Sequence, residues 1–373
     1  MLPTQPTGLA RLAAEAEHAE DGHLVEFRVM KVRSVLNKLV SKRGFRMAYS
    51  INPYRGCEFG CKYCYARYTH EFLAPKLEAG ELREDEVAIR EVAVGSVPGA
   101  VDRRTPAELA NLRDPLAFER RIFIKESAAW LFEQELKKID PTDEIALGTA
   151  TDPYQPIERR ARVTRSILEV FARKEGYRLG IITKSKLIER DVDLLAEIGL
   201  RNMLVVHITI TTPDAALARI LEPRAPRPDL RFAAVRRLRE AGITVGILCS
   251  PLLPGITDTA NALDQMARQA AAVGASFFAA QPLFLKPCSR PTYLSFVREH
   301  FPTLEADYAE RFAWRDFAAP AYRDELASMV AQVCQRYGLP RRSRDALLTR
   351  TEGTLRKPVG SVGRTVQQQQ LFG

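Results

Sequence analysis

Three cysteines, Cys57, Cys61 and Cys64, stand at C-x3-C-x2-C spacing in the stretch Asn52-Pro-Tyr-Arg-Gly-Cys57-Glu-Phe-Gly-Cys61-Lys-Tyr-Cys64-Tyr-Ala-Arg67. Thiolates are soft donors that select iron–sulfur clusters, zinc or cuprous ions. A tetrahedral cluster normally takes four cysteine ligands. Three in one tight loop therefore leave one iron to an exchangeable small molecule, much as an open catalytic metal site keeps one position free of protein. Gly56 and Gly60 let the loop turn through positive φ and bring amide N–H groups toward an anionic cluster. The competing interpretation is a structural zinc site with His70 as fourth ligand. Zinc ligands usually come as two separated pairs, whereas here there is one compact triplet.

The elements that must position this loop read as alternating strands and helices. Met47 to Ile51 is the strand that delivers it, and a helix is expected from Tyr65. Short apolar runs follow at 122–124, 144–148, 179–183, 203–210, 243–249 and 276–280, separated by helical periodicity at 128–138, 157–173, 187–198, 229–241 and 260–273. Buried apolar strands alternating with amphipathic helices argue for an α/β fold with a parallel sheet. In such folds function gathers where strands end and loops begin. Those ends carry Thr149 to Pro156, then Thr183-Lys184-Ser185, then Glu222 with Arg224 and Arg231, then Ser250-Pro251. His207 and Thr209 share one face of their strand because side chains alternate with period two. Residues 75–115 interrupt the alternation and read as an insertion, either a surface lid or a tolerated loop.

With 373 residues, 46% hydrophobic and 27% charged, the chain has room for one barrel-like domain plus appendages. A formal charge of +9 makes a polyanion the natural partner, although a solvated basic surface has the same composition. No apolar run approaches the ~18 residues of a membrane span. The N-terminal residues lack a basic-then-apolar signal pattern, so a cytoplasmic location is expected. Cys249, Cys288 and Cys334 are scattered, as suits a reducing compartment, and each reads as a small buried hydrophobe.

The cysteine triplet, with Tyr63 before its last member, resembles the cluster loop of the radical S-adenosylmethionine (SAM) enzymes. The flanks Asn52-Pro-Tyr-Arg-Gly56 and Tyr65-Ala-Arg67 are similar to the spore photoproduct lyase-like, or "DNA repair photolyase", branch. The resemblance spans Ala48 to Pro291 and implies a partial (β/α)6 radical SAM barrel. It implies an N-terminal extension over 1–45, a core over 46–291, a C-terminal helical region over 292–340 and a basic flexible tail over 341–373. By the same resemblance, Cys57, Cys61 and Cys64 hold a 4Fe-4S cluster whose open iron SAM chelates. Tyr63, Thr151, Asp152, Lys184, Ser185 and Thr209 are implied to form the SAM shell. A reducing partner such as flavodoxin or ferredoxin is implied, and so is a 5′-deoxyadenosyl radical acting on nucleic acid, DNA above all. The hard chemistry in such enzymes belongs to the cofactors. One departure stands out: spore photoproduct lyases proper have a hydrogen-donating cysteine where this chain has Thr149, which puts thymine-dimer reversal by that route in doubt. Cys249 and Tyr154 are the substitutes at hand. The terminal residues around Gln368, Leu371 and Phe372 resemble the short peptide that docks on the DNA sliding clamp. Alternatives are the same chemistry on a peptide or metabolite, and a zinc-stabilised nucleic-acid-binding module that is not an enzyme.

Overall fold

The computed structural model describes residues 25–38, 47–73, 89–91, 112 and 114–340. The clamp-like tail, residues 1–24 and most of the 75–115 stretch lie outside the described residues. In chain order the strands are β1 (Glu26–Met30), β2 (Leu36–Lys38), β3 (Met47–Ile51), β4 (Tyr54–Arg55), β5 (Ile89–Glu91) and β6 (Arg121–Lys125). They continue with β7 (Glu144–Leu147), β8 (Arg178–Thr183), β9 (Met203–Thr209), β10 (Thr244–Leu252) and β11 (Phe278–Pro282).

Six of these, in the order β3-β7-β8-β9-β10-β11, run parallel in one sheet, and β2 adds to β3 antiparallel. This is the α/β, partial-barrel arrangement expected for a (β/α)6 chain. The central strands are buried along nearly their whole length, β7 at every residue and β9 at all but its first, because helices cover the outer face. Val163–Ala172, Val192–Arg201, Pro228–Glu240 and Ala260–Ala272 supply that cover and share the large core cluster with the strands. Beyond β11 come helices Arg290–His300, Glu305–Arg311 and Pro320–Arg336.

Tertiary contacts change two expectations and refine a third. The apolar run at 122–124 is β6, which stays out of the barrel and joins a second sheet of order β4-β6-β1-β5. The reason is its partner: Tyr54 and Arg55, just before the cysteines, pair antiparallel with Ile124 and Phe123 and pull that strand against the cysteine loop. The helix expected from Tyr65 is present as a 3-10 helix over Tyr65–Leu73. The expected helix over 157–173 breaks at Arg162, whose φ is 51°. There the Glu158 carboxylate accepts from the Thr164 and Arg165 amides and from the Tyr54 hydroxyl, capping the second helix in place of a continuous one.

Gly246 in β10 lies under the ring of Phe277, and a Cβ at that position would sit 2.1 Å from it. Gly199, inside a helix, has nothing within 4 Å of such a Cβ. Gly246→Ala should therefore destabilise the fold by about 1–3 kcal/mol or more through overpacking. Gly199→Ala should stabilise it by about 0.5–1 kcal/mol. Urea denaturation of the two variants checks both signs.

Candidate active site at the barrel mouth

The C-terminal ends of the parallel strands open into a cavity of ≈ 340 Å³. Cys57, Cys61 and Cys64 all line it, together with Tyr63, Thr149 to Asp152, Thr183, Lys184, Thr209 and Ser250. None of the three thiols is in a disulfide. Their loop is held from several directions. The Cys57 amide donates to the Phe118 carbonyl at 2.9 Å, and the Lys62 amide to the Leu221 carbonyl at 2.9 Å. Gly56 has φ +82°, and a Cβ there would lie 2.7 Å from the carbonyl oxygens of both Phe118 and Arg121. Glycine is thus required by backbone conformation and by close approach.

The end of β7 clamps the same loop. Thr151 donates its hydroxyl to the Gly56 carbonyl, and Gln155 Nε2 donates to that oxygen at 3.3 Å. Gln155 Oε1 accepts from the Glu58 amide at 2.8 Å, while Glu58 Oε1 accepts from the Ile157 amide at 2.7 Å. Asn52 accepts from the Ala150 amide at 2.8 Å and donates to the Thr149 hydroxyl at 3.3 Å. Buried Arg67 donates to the Cys61 carbonyl at 3.0 Å and pairs with Glu119 at 3.1 Å. Asp152 joins the ends of two strands: it accepts from Thr183 Oγ1 at 2.6 Å, the Tyr154 amide at 2.9 Å and the Lys184 amide at 2.7 Å.

Behind the thiols lies a buried polar network. Tyr63 donates to Glu222 and shares a 2.9 Å hydrogen bond with Thr211. Glu222 is ion-paired with Arg231, and each side chain is 1% exposed. Arg231 Nε donates to the Pro226 carbonyl at 2.7 Å, and its Nη1 to the Thr209 carbonyl at 3.2 Å. Burial pushes the Glu222 carboxyl up, but Arg231 and Lys184 outweigh it and hold it below its ordinary value. Burial also opposes the charge on Lys184, yet Cys61 and Glu222 overcome that and raise its pKa. The Lys184 ammonium sits 5.7 Å from the centre of the Tyr63 ring.

Burial pushes the Cys61 thiol up to about 12, with Lys184 working the other way. Cys57 and Cys64 are raised by burial as well. A dry thiol keeps its proton unless a metal replaces it, so binding and deprotonation go together. Three free thiols on one cavity wall, with a lysine ammonium facing them, fit the donor set of a soft, anionic metal cluster.

His70 does not belong to that set. Its Nε2 donates to the Arg121 carbonyl at 2.9 Å, and its ring packs on Phe118 and Phe123 at 5.4 and 5.6 Å. The competing zinc arrangement thereby loses the fourth ligand named for it. Among the described residues, no three His, Cys, Asp or Glu side chains converge to hold a single ion.

Tyr63, Thr151, Asp152, Lys184 and Thr209 line the cavity, but Thr151 and Asp152 spend most of their hydrogen bonds on their own chain. Ser185 is not among the lining residues; its hydroxyl caps the 3-10 helix Lys186–Asp191 by accepting from the Leu187 amide. His207 is buried below the cavity against Phe277, at 5.2 Å. Cys249 and Tyr154, the proposed substitutes for a donor at Thr149, both lie in the core rather than on the cavity wall. Arg224 pairs with Glu119 at 3.4 Å and Arg231, in the helix that follows, pairs with Glu222, so both arginines serve as braces. Asn52, Arg67, Gln155 and Thr211 went unassigned in the sequence. Only the place of Gln155 within the Thr149-to-Pro156 stretch at a strand's C-terminal end hinted at a role.

The model of the Radical SAM superfamily matches residues 131–267, a stretch that begins after the cysteine triplet. An uncharacterized protein of Mycobacterium tuberculosis is 28% identical over 316 residues, covering 84% of this chain and 82% of the relative. One from Methanocaldococcus jannaschii is 27% identical over 210 residues, 56% of this chain and 62% of the relative. Among solved structures, spore photoproduct lyase complexed with dinucleoside spore photoproduct superposes with a TM-score of 0.54 at 13% identity, covering 90% of this chain and 84% of that one. A spore photoproduct lyase variant with bound AdoMet and dinucleoside spore photoproduct gives 0.53 at 14% identity, with the same coverage. At such identities the likeness is one of fold.

The buried His70 ring also sets a pH dependence. Burial lowers its pKa from 6.5 to about 4, helped by Arg55, Arg121 and Arg67 and opposed by the hydrogen bond to Arg121. Its Nδ1 has no hydrogen-bond partner among the described residues, so a second proton would be a buried, unpaired charge. The unfolded chain binds that proton first, so this contribution is complete above the unfolded pKa and is lost as pH falls from 6.5 toward 4. Between pH 7 and pH 5 the loss should be about 2 kcal/mol. Equilibrium unfolding of the parent and His70→Gln at both pH values checks this, since only the difference between them reports on His70.

Proposed function

We propose that this chain is a radical SAM enzyme that carries a 4Fe-4S cluster on Cys57, Cys61 and Cys64 and acts on nucleic acid. The observation that carries the reading is the opening of three free thiols and Lys184 into one cavity at the strand ends of the matched barrel. When bound, cluster and SAM together supply reductive cleavage of SAM to a hydrogen-abstracting 5′-deoxyadenosyl radical. The chain's own residues do the rest. Lys184 offers a mobile point charge for the SAM carboxylate, and Thr209 and the Thr149-Ala150 backbone line the same wall. Glu222 and Arg231 fix Tyr63 beneath it, while Phe59, Ala66, Phe118 and Leu248 keep water from that floor.

Nucleic acid as substrate class is supported by the formal charge of +9 and by a fold shared with a lyase whose structure holds a dinucleoside. Reversal of a thymine dimer by way of a cysteine at position 149 is not part of the proposal, because Thr149 stands there and, among the described residues, the cluster-loop cysteines are the only thiols on the cavity wall. A flavodoxin- or ferredoxin-like reductant is the proposed electron source. Gln368, Leu371 and Phe372 are proposed as a sliding-clamp contact, on sequence alone. A cytoplasmic location is likewise proposed; among the described residues no helix is long and apolar enough to cross a membrane.

Anaerobic reconstitution should yield a brown protein with about four irons and four sulfides per chain. With dithionite and SAM it should release 5′-deoxyadenosine. Cys57→Ala, Cys61→Ala and Cys64→Ala should each lose the visible absorbance. Lys184→Met should keep it while SAM binding weakens on the order of tenfold or more, as expected for a lost charge-assisted contact. One zinc and no sulfide in the purified chain would overturn the reading.

A further inference from the structure

We propose that the rim of the cavity is a stacking ledge for a nucleobase next to the reacting nucleotide of an unpaired strand. The inference rests on the nucleic-acid reading above and names the part of the chain that engages the strand. Phe284, two residues beyond β11, lines the cavity and stacks on Phe317, with ring centroids 4.3 Å apart and planes 22° apart. Tyr65, also on the cavity wall, lies 6.1 Å from Phe284. The three rings therefore run outward from the cavity.

Packing alone does not account for their exposure. Five large hydrophobic side chains are exposed among the described residues, and three of them belong here: Tyr65 at 41%, Phe317 at 39% and Trp314 at 94%. Trp314 is three residues before Phe317, within about 10 Å along even an extended backbone. The segment is not loose. Phe284 and Phe317 form a β-bridge, the Leu285 amide donates to the Asp316 carbonyl at 2.9 Å, and Arg290 donates to the Ala313 carbonyl at 3.3 Å. Fixed aromatic faces lose little freedom on binding, which is the condition for a stacking site to contribute affinity.

The same rim carries a cation. In Phe284-Leu285-Lys286 the middle residue is fully buried, and alternation brings the outer two to the same side. The Lys286 ammonium lies 4.1 Å from the centre of the Tyr68 ring and 5.8 Å from that of Phe284. Aromatic faces beside a lysine are what an unpaired strand recognises, with bases on the rings and phosphate on the ammonium. A duplex keeps its bases stacked on one another and has none to lend unless one is flipped out.

Trp130 and Trp314 are the chain's two tryptophans, so Trp130→Phe leaves Trp314 as sole reporter. Titration of the full chain carrying Trp130→Phe with a short single-stranded oligothymidylate should quench Trp314, and a duplex of equal length should bind more weakly. Adding Phe317→Ala should weaken single-strand binding by about 5- to 150-fold, the range of one lost base–ring contact. Phe317→Tyr, which keeps the ring, should bind as the parent does. Lys286→Met should reduce the slope of log affinity against log salt by about one. Unchanged affinity in Phe317→Ala, equal binding of duplex and single strand, or tighter binding of an uncharged peptide than of the oligonucleotide would each overturn the ledge. The readout is strand binding, so a failure of cluster assembly counts against the first reading and a failure of stacking against this one.

Discussion

A carboxylate and a guanidinium, Glu222 and Arg231, are buried together behind the cysteine loop, and the geometry of the mouth depends on their meeting. Removing either charge from water costs several kcal/mol, and attraction repays this only when the remaining hydrogen-bonding groups are also satisfied. Here they are. Glu222 accepts from Tyr63 and Thr211, and Arg231 donates to the carbonyls of Thr209 and Pro226. The cysteine loop thus meets, on one ion pair, three stretches that lie far beyond it in the sequence: the end of β9, the loop after helix Ala215–Leu221, and helix Pro228–Glu240.

From the opposite side, β7 grips the loop by its backbone. Thr151 and Gln155 both donate to the Gly56 carbonyl, and Arg67 holds the Cys61 carbonyl. With its main-chain oxygens engaged by the protein, the loop presents its thiols to the cavity. The Radical SAM match starts at residue 131, so these long-range bonds are what join an upstream donor loop to the matched strands.

The floor and rim of the cavity differ in character. The floor is buried and carries its charge as paired groups, which favours a water-sensitive reaction held close to Lys184. The rim is aromatic, rigid and open, with its cation laid against ring faces. The small reactants and the unpaired strand proposed above would make such opposite demands on one opening.

Local chemistry made much of this legible in the sequence. The cysteine triplet and its glycines are a local pattern, and the alternation of apolar runs with helical periodicity marked the barrel strands, because both signals are set by neighbours along the chain. What the chain folded against was another matter. Ile122-Phe-Ile124 reads like any buried strand, and only its pairing with Tyr54 and Arg55 assigns it to the second sheet. His70 and Ser185 are chemically able to serve as ligands, yet a carbonyl of Arg121 and an amide of Leu187 claim them. Arg231 has the sequence appearance of a solvated helix residue, and the carboxylate that buries it arrives from the preceding loop. By itself the sequence determined which groups were available and which segments were strand or helix. Tertiary structure alone decided which donors face the cavity, since a hydrogen bond spanning some hundred residues leaves no periodic trace in the residues that make it.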